Sequence, residues 1–194
     1  MTAGRTTADP ATELEPVARR TGKLPNHTAL KEWANVVEAL GRGEQIILIR
    51  KGGLADPAFG IDADQFYLYP TYFHQGESDA RPFVTLTHWA EIVRTWRITD
   101  RETLTRLEPF VVIPRETLDA RYRFRSDQAL YVLALRAWEL PAPIRIPFRE
   151  QYGGCLSWIS VEEEIDVEGS RPVLAPEVLT TGVEAIDRAI AAAG

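Results

Sequence analysis

Aromatic rings are concentrated in one segment of the sequence, residues 66–75, which reads Phe-Tyr-Leu-Tyr-Pro-Thr-Tyr-Phe-His-Gln. Tyr69 and Tyr72 could stack on a planar base, as aromatic side chains do in single-strand binding proteins. His74 and Gln75 could then hydrogen-bond to the edge of that base. The alternative is that the rings fill the core and that His74 holds a loop carbonyl.

A second segment combines two cations with two glycines. Arg50 and Lys51 are followed directly by Gly52 and Gly53. Backbone N–H groups of glycines can approach an anion closely, and the adjacent cations would favour a phosphate. A charged surface turn is the alternative interpretation.

A third segment, residues 151–158, holds the sole cysteine of the chain. Ser157 and Trp158 at its end could form the wall of a ligand pocket. Cys155 could act as a nucleophile if His74 or His88 served as its base, since the thiolate is the reactive form. A free cysteine is otherwise a small buried hydrophobe.

Other catalytic patterns are missing from the sequence. It has no phosphate-binding loop of the Walker type, no dinucleotide fingerprint and no Gly-x-Ser-x-Gly elbow, and its three histidines do not have the spacing of zinc ligands. We therefore predict no cofactor and no bound metal, and we favour a binding protein over an enzyme. The enzymatic alternative uses Cys155 with a histidine, or His74 with Asp62 or Asp64 around a metal.

Composition and charge limit the class of protein. The chain has 194 residues, 45% of them hydrophobic, and a net charge of −6, which argues against a general nucleic-acid coat protein. Its apolar runs are too short to span a bilayer, and one cysteine excludes an internal disulfide. We expect a cytoplasmic location. Residues 94–149 contain 11 arginines against 7 acids, whereas residues 150–194 contain 2 basic and 9 acidic residues.

The order of apolar and turn residues predicts an α+β fold: a compact mixed β-barrel or a strongly bent sheet with a few short helices. We expect residues 1–27 to form a disordered tail, residues 28–170 a single domain, and residues 171–194 a linker and a C-terminal helix. Residues 33–40 fit a strand or a helix, and a β-hairpin is favoured. Residues 110–113 are predicted as a strand, and Thr181 with Glu184 as a capping box that opens the last helix.

Four motifs carry a family resemblance: Leu-Lys-Glu-Trp at 30–33, the segment 43–53, Leu-Tyr-Pro-Thr-Tyr-x-His-Gln at 68–75, and Tyr-Gly-Gly-Cys-x-Ser-Trp at 152–158. Together they resemble a bacterial family known as domain of unknown function 1802. Some members of that family are joined to restriction-endonuclease-like domains. The resemblance therefore implies a role linked to DNA, in restriction or defence.

A weaker likeness connects the order of strands to the PUA-like barrels, the EVE and ASCH domains. That likeness implies binding of RNA or of a modified nucleobase in an aromatic pocket. Our leading hypothesis is therefore a module that binds nucleic acid or a nucleobase, with no membrane contact. The alternatives are an enzyme, and an interaction module that docks on a protein partner through the acidic end and the terminal helix.

Overall fold

The structure is a computed structural model that describes residues 22–51, 60–72 and 81–192. Within those residues the chain forms seven strands, four α-helices and two 3-10 turns. The strands are β1 Thr28–Trp33, β2 Ile47–Arg50, β3 Gln65–Thr71, β4 Phe83–Ile98, β5 Leu130–Pro147, β6 Trp158–Ser160 and β7 Arg171–Pro172. The helices are α1 Ala34–Gly41, α2 Arg101–Leu107, α3 Arg115–Arg123 and α4 Pro176–Ala191, and the 3-10 turns are Glu108–Phe110 and Glu150–Tyr152.

All seven strands belong to one sheet with the order β2-β5-β4-β3-β1-β6, and β7 pairs with β5. Strands β1 and β3 are parallel, and the other pairings are antiparallel. In the described part of the chain no pairing joins β2 to β6, so the sheet is not closed into a barrel. The predicted α+β class is confirmed, and of its two forms the open sheet is the one observed.

The long strands β4 and β5 form a ribbon that runs through the centre of this sheet. Their pairing is interrupted between Leu86 and His88 and between Ile92 and Arg94. Such irregularities bend a strand and increase its twist. The interruption between Leu86 and His88 lies opposite the Pro-Ala-Pro sequence at 141–143. Proline has no backbone N–H to donate, and it is tolerated here because the regular hydrogen bonding between the two strands is already interrupted. Strand β5 nevertheless continues through this sequence, from Leu130 to Pro147.

The hairpin expected at residues 33–40 is wrong, because this segment forms helix α1. Val36, Val37 and Leu40 lie on one face of the helix and are almost fully buried in the core. Valine costs a helix little compared with the burial of three apolar side chains. The local sequence pattern of this segment fits a strand or a helix, and burial against the sheet therefore determines that it is helical.

The strand expected at residues 110–113 is also wrong. The chain forms a 3-10 turn at Glu108–Phe110 and then bends, and the backbone N–H of Val112 donates to Oε1 of Gln45 at 2.8 Å. Pro109 and Pro114 flank this segment, and because proline cannot donate a backbone hydrogen bond, a strand here could not extend beyond four residues.

The capping box expected at Thr181 is wrong as well, since α4 begins at Pro176. Thr181 lies inside the helix, where its Oγ1 donates to the carbonyl of Glu177 at 2.9 Å. Proline is favoured in the first turn of a helix because its fixed φ suits that position. Ile186 of α4 is buried in the core, and Asp187 accepts a hydrogen bond from Nε1 of Trp96 at 2.8 Å. The apolar face of α4 therefore packs within the chain.

Two hydrophobic clusters lie on the two sides of β1. The first contains Leu30 and the buried side chains of α1, β2 and the start of β5. The second contains five buried aromatic side chains, among them Trp89 and Trp138, whose rings stack with centroids 5.3 Å apart. Among the described residues no helix is long and apolar enough to cross a membrane.

Gly41 ends α1 in contact with the ring of His88, and this contact generates a stability prediction. A Cβ atom added at Gly41 would lie 2.4 Å from Cε1 of His88. We expect Gly41→Ala to lower the free energy of unfolding by about 1–3 kcal/mol, as overpacking does, although alanine favours a helix. Chemical denaturation measures the change.

Gly60→Ala is the matched control, since among the described residues its Cβ would meet only Oδ1 of Asp62, at 3.6 Å, which is an ordinary contact. In a His88→Ala background the clash is removed, so Gly41→Ala should then cost little or stabilise. An equal cost in both backgrounds would show that the ring of His88 is not the cause.

Candidate functional site

Strand β1 carries two adjacent buried charges, Lys31 and Glu32, which are 7% and 1% exposed. Successive side chains of a strand point to opposite faces of the sheet. Glu32 therefore shares the face of Leu30 in the first cluster, whereas Lys31 shares the face of Ala29 in the second. Charged residues are rarely buried without partners, so each side should contain groups of opposite polarity.

The carboxylate of Glu32 joins three elements of the fold. Nη1 of Arg50, at the end of β2, donates to its Oε2 at 2.8 Å. Nη2 of Arg121, on α3, lies 3.7 Å from its Oε1, and the backbone N–H of Trp33 donates to the same oxygen at 2.9 Å. The side chain of Glu32 has no exposed surface, and those of Arg50 and Arg121 are 11% and 19% exposed.

These contacts set the charge state of the cluster. Burial by itself raises the pKa of Glu32, but the guanidinium groups of Arg50 and Arg121 and the N–H of Trp33 outweigh it and hold that pKa below its usual value. Burial lowers the pKa of Arg121, and the charge of Glu32 opposes this while that of Arg50 adds to it. The carboxylate is thus ionised at neutral pH.

Lys51 lies beside this cluster and is also buried. Its Nζ donates to the carbonyl of Tyr122 at the end of α3, at 2.9 Å, and lies 5.8 Å from the centre of the Tyr122 ring. Burial lowers the pKa of Lys51, and the charge of Asp127 partly opposes this. Arg50 and Lys51, predicted to bind phosphate, therefore contact the protein itself. Gly52 and Gly53 lie outside the described residues.

The other face of β1 borders a shallow pocket with room for about one water molecule. Its rings and cations are Lys31, Tyr69, Tyr72, Arg81, Phe148 and Tyr152. The guanidinium carbon of Arg81 lies 3.9 Å from the centre of the Tyr72 ring. Tyr72 is half-buried, whereas Tyr69 is buried and meets Tyr152 edge to face at 6.0 Å. Both rings line the pocket, and Tyr72 is the more accessible of the two.

Lys31 fixes the loop that closes one side of this pocket. Its Nζ donates to the carbonyls of Tyr152 and Gly154, both at 2.7 Å. Its backbone N–H donates to the carbonyl of Ser157 at 2.9 Å. The Tyr-Gly-Gly-Cys-x-Ser-Trp motif is therefore held against β1 from its beginning to its end.

Ser157 and Trp158 are not among the residues that line the pocket. Ser157 is buried. The indole Nε1 of Trp158 donates to the carbonyl of Gly60 at 2.7 Å, and its ring meets Phe66 edge to face at 5.0 Å. Within the described residues, Trp158 thus packs on the sheet and on the segment before β3.

The structure places the catalytic candidates in different parts of the fold. Cys155 is exposed on the loop held by Lys31. His88 lies in β4, where it packs against Gly41 and its Nδ1 is 2.8 Å from Oγ1 of Thr87. Burial lowers the pKa of His88, and Glu139 opposes this only partly. No hydrogen bond joins Cys155 to His88 in the described ranges; His74 and Gln75 lie outside them.

Asp62 and Asp64 belong to the segment before β3, and the backbone carbonyl of Asp64 accepts a hydrogen bond from Ile92 at 2.9 Å. Across residues 22–51, 60–72 and 81–192, no group of three or more histidine, cysteine, aspartate or glutamate side chains is arranged to hold a metal ion.

Sequence analysis missed Lys31, Glu32, Arg81 and Arg121. The first two had a signal, since two opposite charges stand next to each other between Leu30 and Trp33. The sequence gives no signal for Arg81 and Arg121 beyond their residue type, because only the folded chain brings them to the site. Thr71 of the aromatic segment and Arg50 of the Arg-Lys segment both contact Glu32, through its backbone carbonyl at 3.1 Å and its carboxylate at 2.8 Å. The side chain of Arg50 and the pocket of Tyr72 nevertheless lie on opposite faces of β1.

Comparison with known proteins gives a family match and similar solved structures. The family model described as domain of unknown function (DUF1802) matches residues 29–185. The crystal structure of ASCH from Zymomonas mobilis is 13% identical, with a TM-score of 0.47 over 81% of this chain and 93% of that chain. A serine-to-alanine mutant of that protein is 11% identical, with a TM-score of 0.46 over 83% of this chain and 98% of that chain. No curated protein matches.

The Glu32 cluster generates a prediction for stability and its pH dependence. Glu32→Gln would leave Arg50 and Arg121 buried without their carboxylate, which costs about 3–5 kcal/mol when one partner of a buried pair is removed. Because the folded pKa is depressed, the stabilisation by Glu32 is present above its unfolded pKa and is lost as pH falls through the folded value. The difference between wild type and variant should therefore be constant from pH 7 to 5 and shrink below about pH 4.

Denaturant titrations of both proteins across that pH range measure the difference. Glu44→Gln is the matched control, since Glu44 pairs with Arg42 in solvent and should contribute little. A Glu32→Gln variant as stable as wild type at pH 7 would contradict the assigned role of the cluster.

Proposed function

This chain belongs to the domain of unknown function 1802 family, and we propose that it is a nucleic-acid-binding module that holds a base, or a modified base, against Tyr72. The observation that carries this proposal is the Tyr72–Arg81 stack at the mouth of a pocket lined by further aromatic rings. The family match by itself implies no reaction, so the support comes from the geometry of the chain.

A base would stack on the accessible part of the Tyr72 ring at the rim of the pocket, because the pocket itself has room for only about one water molecule. Tyr72 is half-buried, which holds its ring in place but leaves part of it accessible. A guanidinium stacked on a ring is a planar surface on which a base can also stack. Stacking of a base on an aromatic side chain contributes about 1–3 kcal/mol and tolerates any base.

The charge of the pocket suits the phosphate that accompanies a base. Its described lining residues include two cations, Lys31 and Arg81, and no carboxylate. The Nζ of Lys31 donates hydrogen bonds to two carbonyls, which fix the position of its positive charge. Arg81 is exposed, and it can approach a phosphate with its two-pronged end.

This function agrees with the role in restriction or defence that the family resemblance implies. A module that recognises a modified base could direct a partner nuclease to the nucleic acid that carries the modification. Modified and unmodified oligonucleotides of one sequence are therefore the informative ligands.

The stack at Tyr72 generates a binding prediction. We expect Tyr72→Ala to weaken binding of a short single-stranded oligonucleotide by about 5- to 150-fold, which corresponds to the loss of one stacked base. Tyr72→Phe should bind nearly as well as wild type because it keeps the ring. Arg81→Gln should reduce the slope of log affinity against log salt by about 0.7, the value for one phosphate contact on a single strand.

Fluorescence anisotropy with a labelled oligonucleotide measures these affinities between low and physiological salt. Val178→Ala is the control, since Val178 is 54% exposed on α4 and lies outside the pocket lining. The proposal is wrong if wild type binds no nucleic acid, or if Tyr72→Ala binds as tightly as wild type.

A further inference from the structure

The first residues of β4 and the last residues of β5 extend beyond the rest of the sheet as a two-stranded ribbon. Residues 83–86 and 144–147 pair with each other in antiparallel register. Strand β3 pairs with β4 only from Trp89 to Glu91, whereas β2 and β7 pair with β5 only at residues 131–134 and 138–139. Within the described residues these two segments, which we call the ribbon, therefore have no further neighbouring strand.

The two faces of the ribbon differ in burial, because successive side chains of a strand point to opposite faces. The inner face packs in the second cluster through three side chains that are at most 7% exposed, Val84, Leu86 and Ile146. The outer face carries Phe83, Thr85 and Arg145. Phe83 is 42% exposed, and Thr85 and Arg145 are exposed as well. The outer face therefore presents a ring, a hydroxyl and a cation on a support that is anchored in the core.

Arg145 is stacked on the ring of Phe83. Its guanidinium carbon lies 3.9 Å from the centre of that ring. A stack covers one face of the guanidinium, whereas the N–H donors lie in its plane and stay accessible. Within the described residues Arg145 forms no ion pair, so no neighbouring carboxylate neutralises its charge.

The chain around the ribbon is basic, although the protein as a whole is acidic. Residues 81–87 and 141–149 contain three arginines and no aspartate or glutamate, against a net charge of −6 for the chain. Arg149 is paired with Glu162 at 3.1 Å and with Glu163 at 2.9 Å. Arg81 and Arg145 are exposed. The ribbon therefore suits an anionic partner.

We infer that the outer face of the ribbon is a DNA-binding surface that enters the major groove of a duplex. It is separate from the site of the proposed function. Val84 lines the pocket of Tyr72, whereas Phe83 and Arg145 lie on the opposite face of the ribbon. The two surfaces therefore bind independently of each other.

The dimensions and side chains of the ribbon favour duplex DNA. The major groove of B-form DNA is about 12 Å wide and admits a two-stranded ribbon, whose strands are about 4.8 Å apart. In that groove arginine donates two hydrogen bonds to guanine, a threonine hydroxyl bonds to either base pair, and phenylalanine contacts the methyl group of thymine. The major groove of an RNA duplex is too deep and narrow for side chains to read, so RNA should bind less well.

Fluorescence anisotropy with a labelled sixteen-base-pair DNA duplex tests this inference. We expect wild type to bind the duplex and Arg145→Gln to bind it about 5- to 150-fold more weakly, the effect of one base contact. Phe83→Ala should also weaken binding. A duplex with 7-deazaguanine lacks the N7 acceptor of guanine, so it should bind wild type more weakly but leave the affinity of Arg145→Gln unchanged. Both side chains are exposed, and melting curves check that both variants fold.

Two variants outside the ribbon are the matched controls. Arg97→Gln removes an exposed cation from β4. Phe124→Ala removes a ring that is 38% exposed and lies 5.0 Å from the guanidinium carbon of Arg125. Both controls should bind the duplex like wild type. An equal loss in either control would overturn the assignment of the ribbon.

Further outcomes separate this inference from the proposed function. The ribbon surface is wrong if wild type binds no duplex DNA, binds an RNA duplex equally well, or is displaced equally by polyglutamate of the same charge. It is also wrong if 7-deazaguanine has no effect. Tyr72→Ala should lower only single-strand affinity, and Arg145→Gln only duplex affinity. Loss of duplex binding in Tyr72→Ala would show that the two surfaces are not independent and would overturn the inference.

Discussion

The buried carboxylate of Glu32 is the interaction on which the two sides of this fold depend. In the described part of the sheet no backbone pairing joins β1 to β2, yet Arg50 at the end of β2 reaches Glu32 in the middle of the first cluster. Arg121 brings α3 to the same place. Apolar residues can often replace such a buried charge pair without loss of stability, but removal of one partner alone is strongly destabilising because it leaves a buried charge unpaired.

The site and the core are built from the same strand. Lys31 and Glu32 follow each other in β1, and each is buried in a different cluster. Lys31 holds the loop at Tyr152 and Gly154, which forms part of the pocket wall. Glu32 holds the guanidinium groups next to Trp33. The backbone that forms part of the pocket wall is therefore held to β1 by hydrogen bonds, and the exposed side chains of the pocket are attached to that support.

Sequence patterns were sufficient where a local signal and the tertiary environment agree. Helix α2 is an example, because Asp100 caps it by accepting a hydrogen bond from the backbone N–H of Thr103 at 2.7 Å and its residues Leu104 and Leu107 pack in the first cluster. Helix α1 did not follow, because its valines suit either structure and only burial decides. The aromatic neighbours of Tyr72 single it out in the sequence, whereas nothing there singles out Arg81 and Arg121, since the contacts that place them join distant parts of the chain.

The adjacency of two opposite charges in β1 also guards the alignment of that strand. A shift by one residue would turn every side chain of β1 to the opposite face. Lys31 would then meet the guanidinium groups of Arg50 and Arg121, and the carboxylate of Glu32 would face the carbonyls of Tyr152 and Gly154. Both misplacements bring like charges or partial charges together in the protein interior. The two adjacent residues Lys31 and Glu32 would therefore each destabilise a fold in which β1 is shifted by one residue.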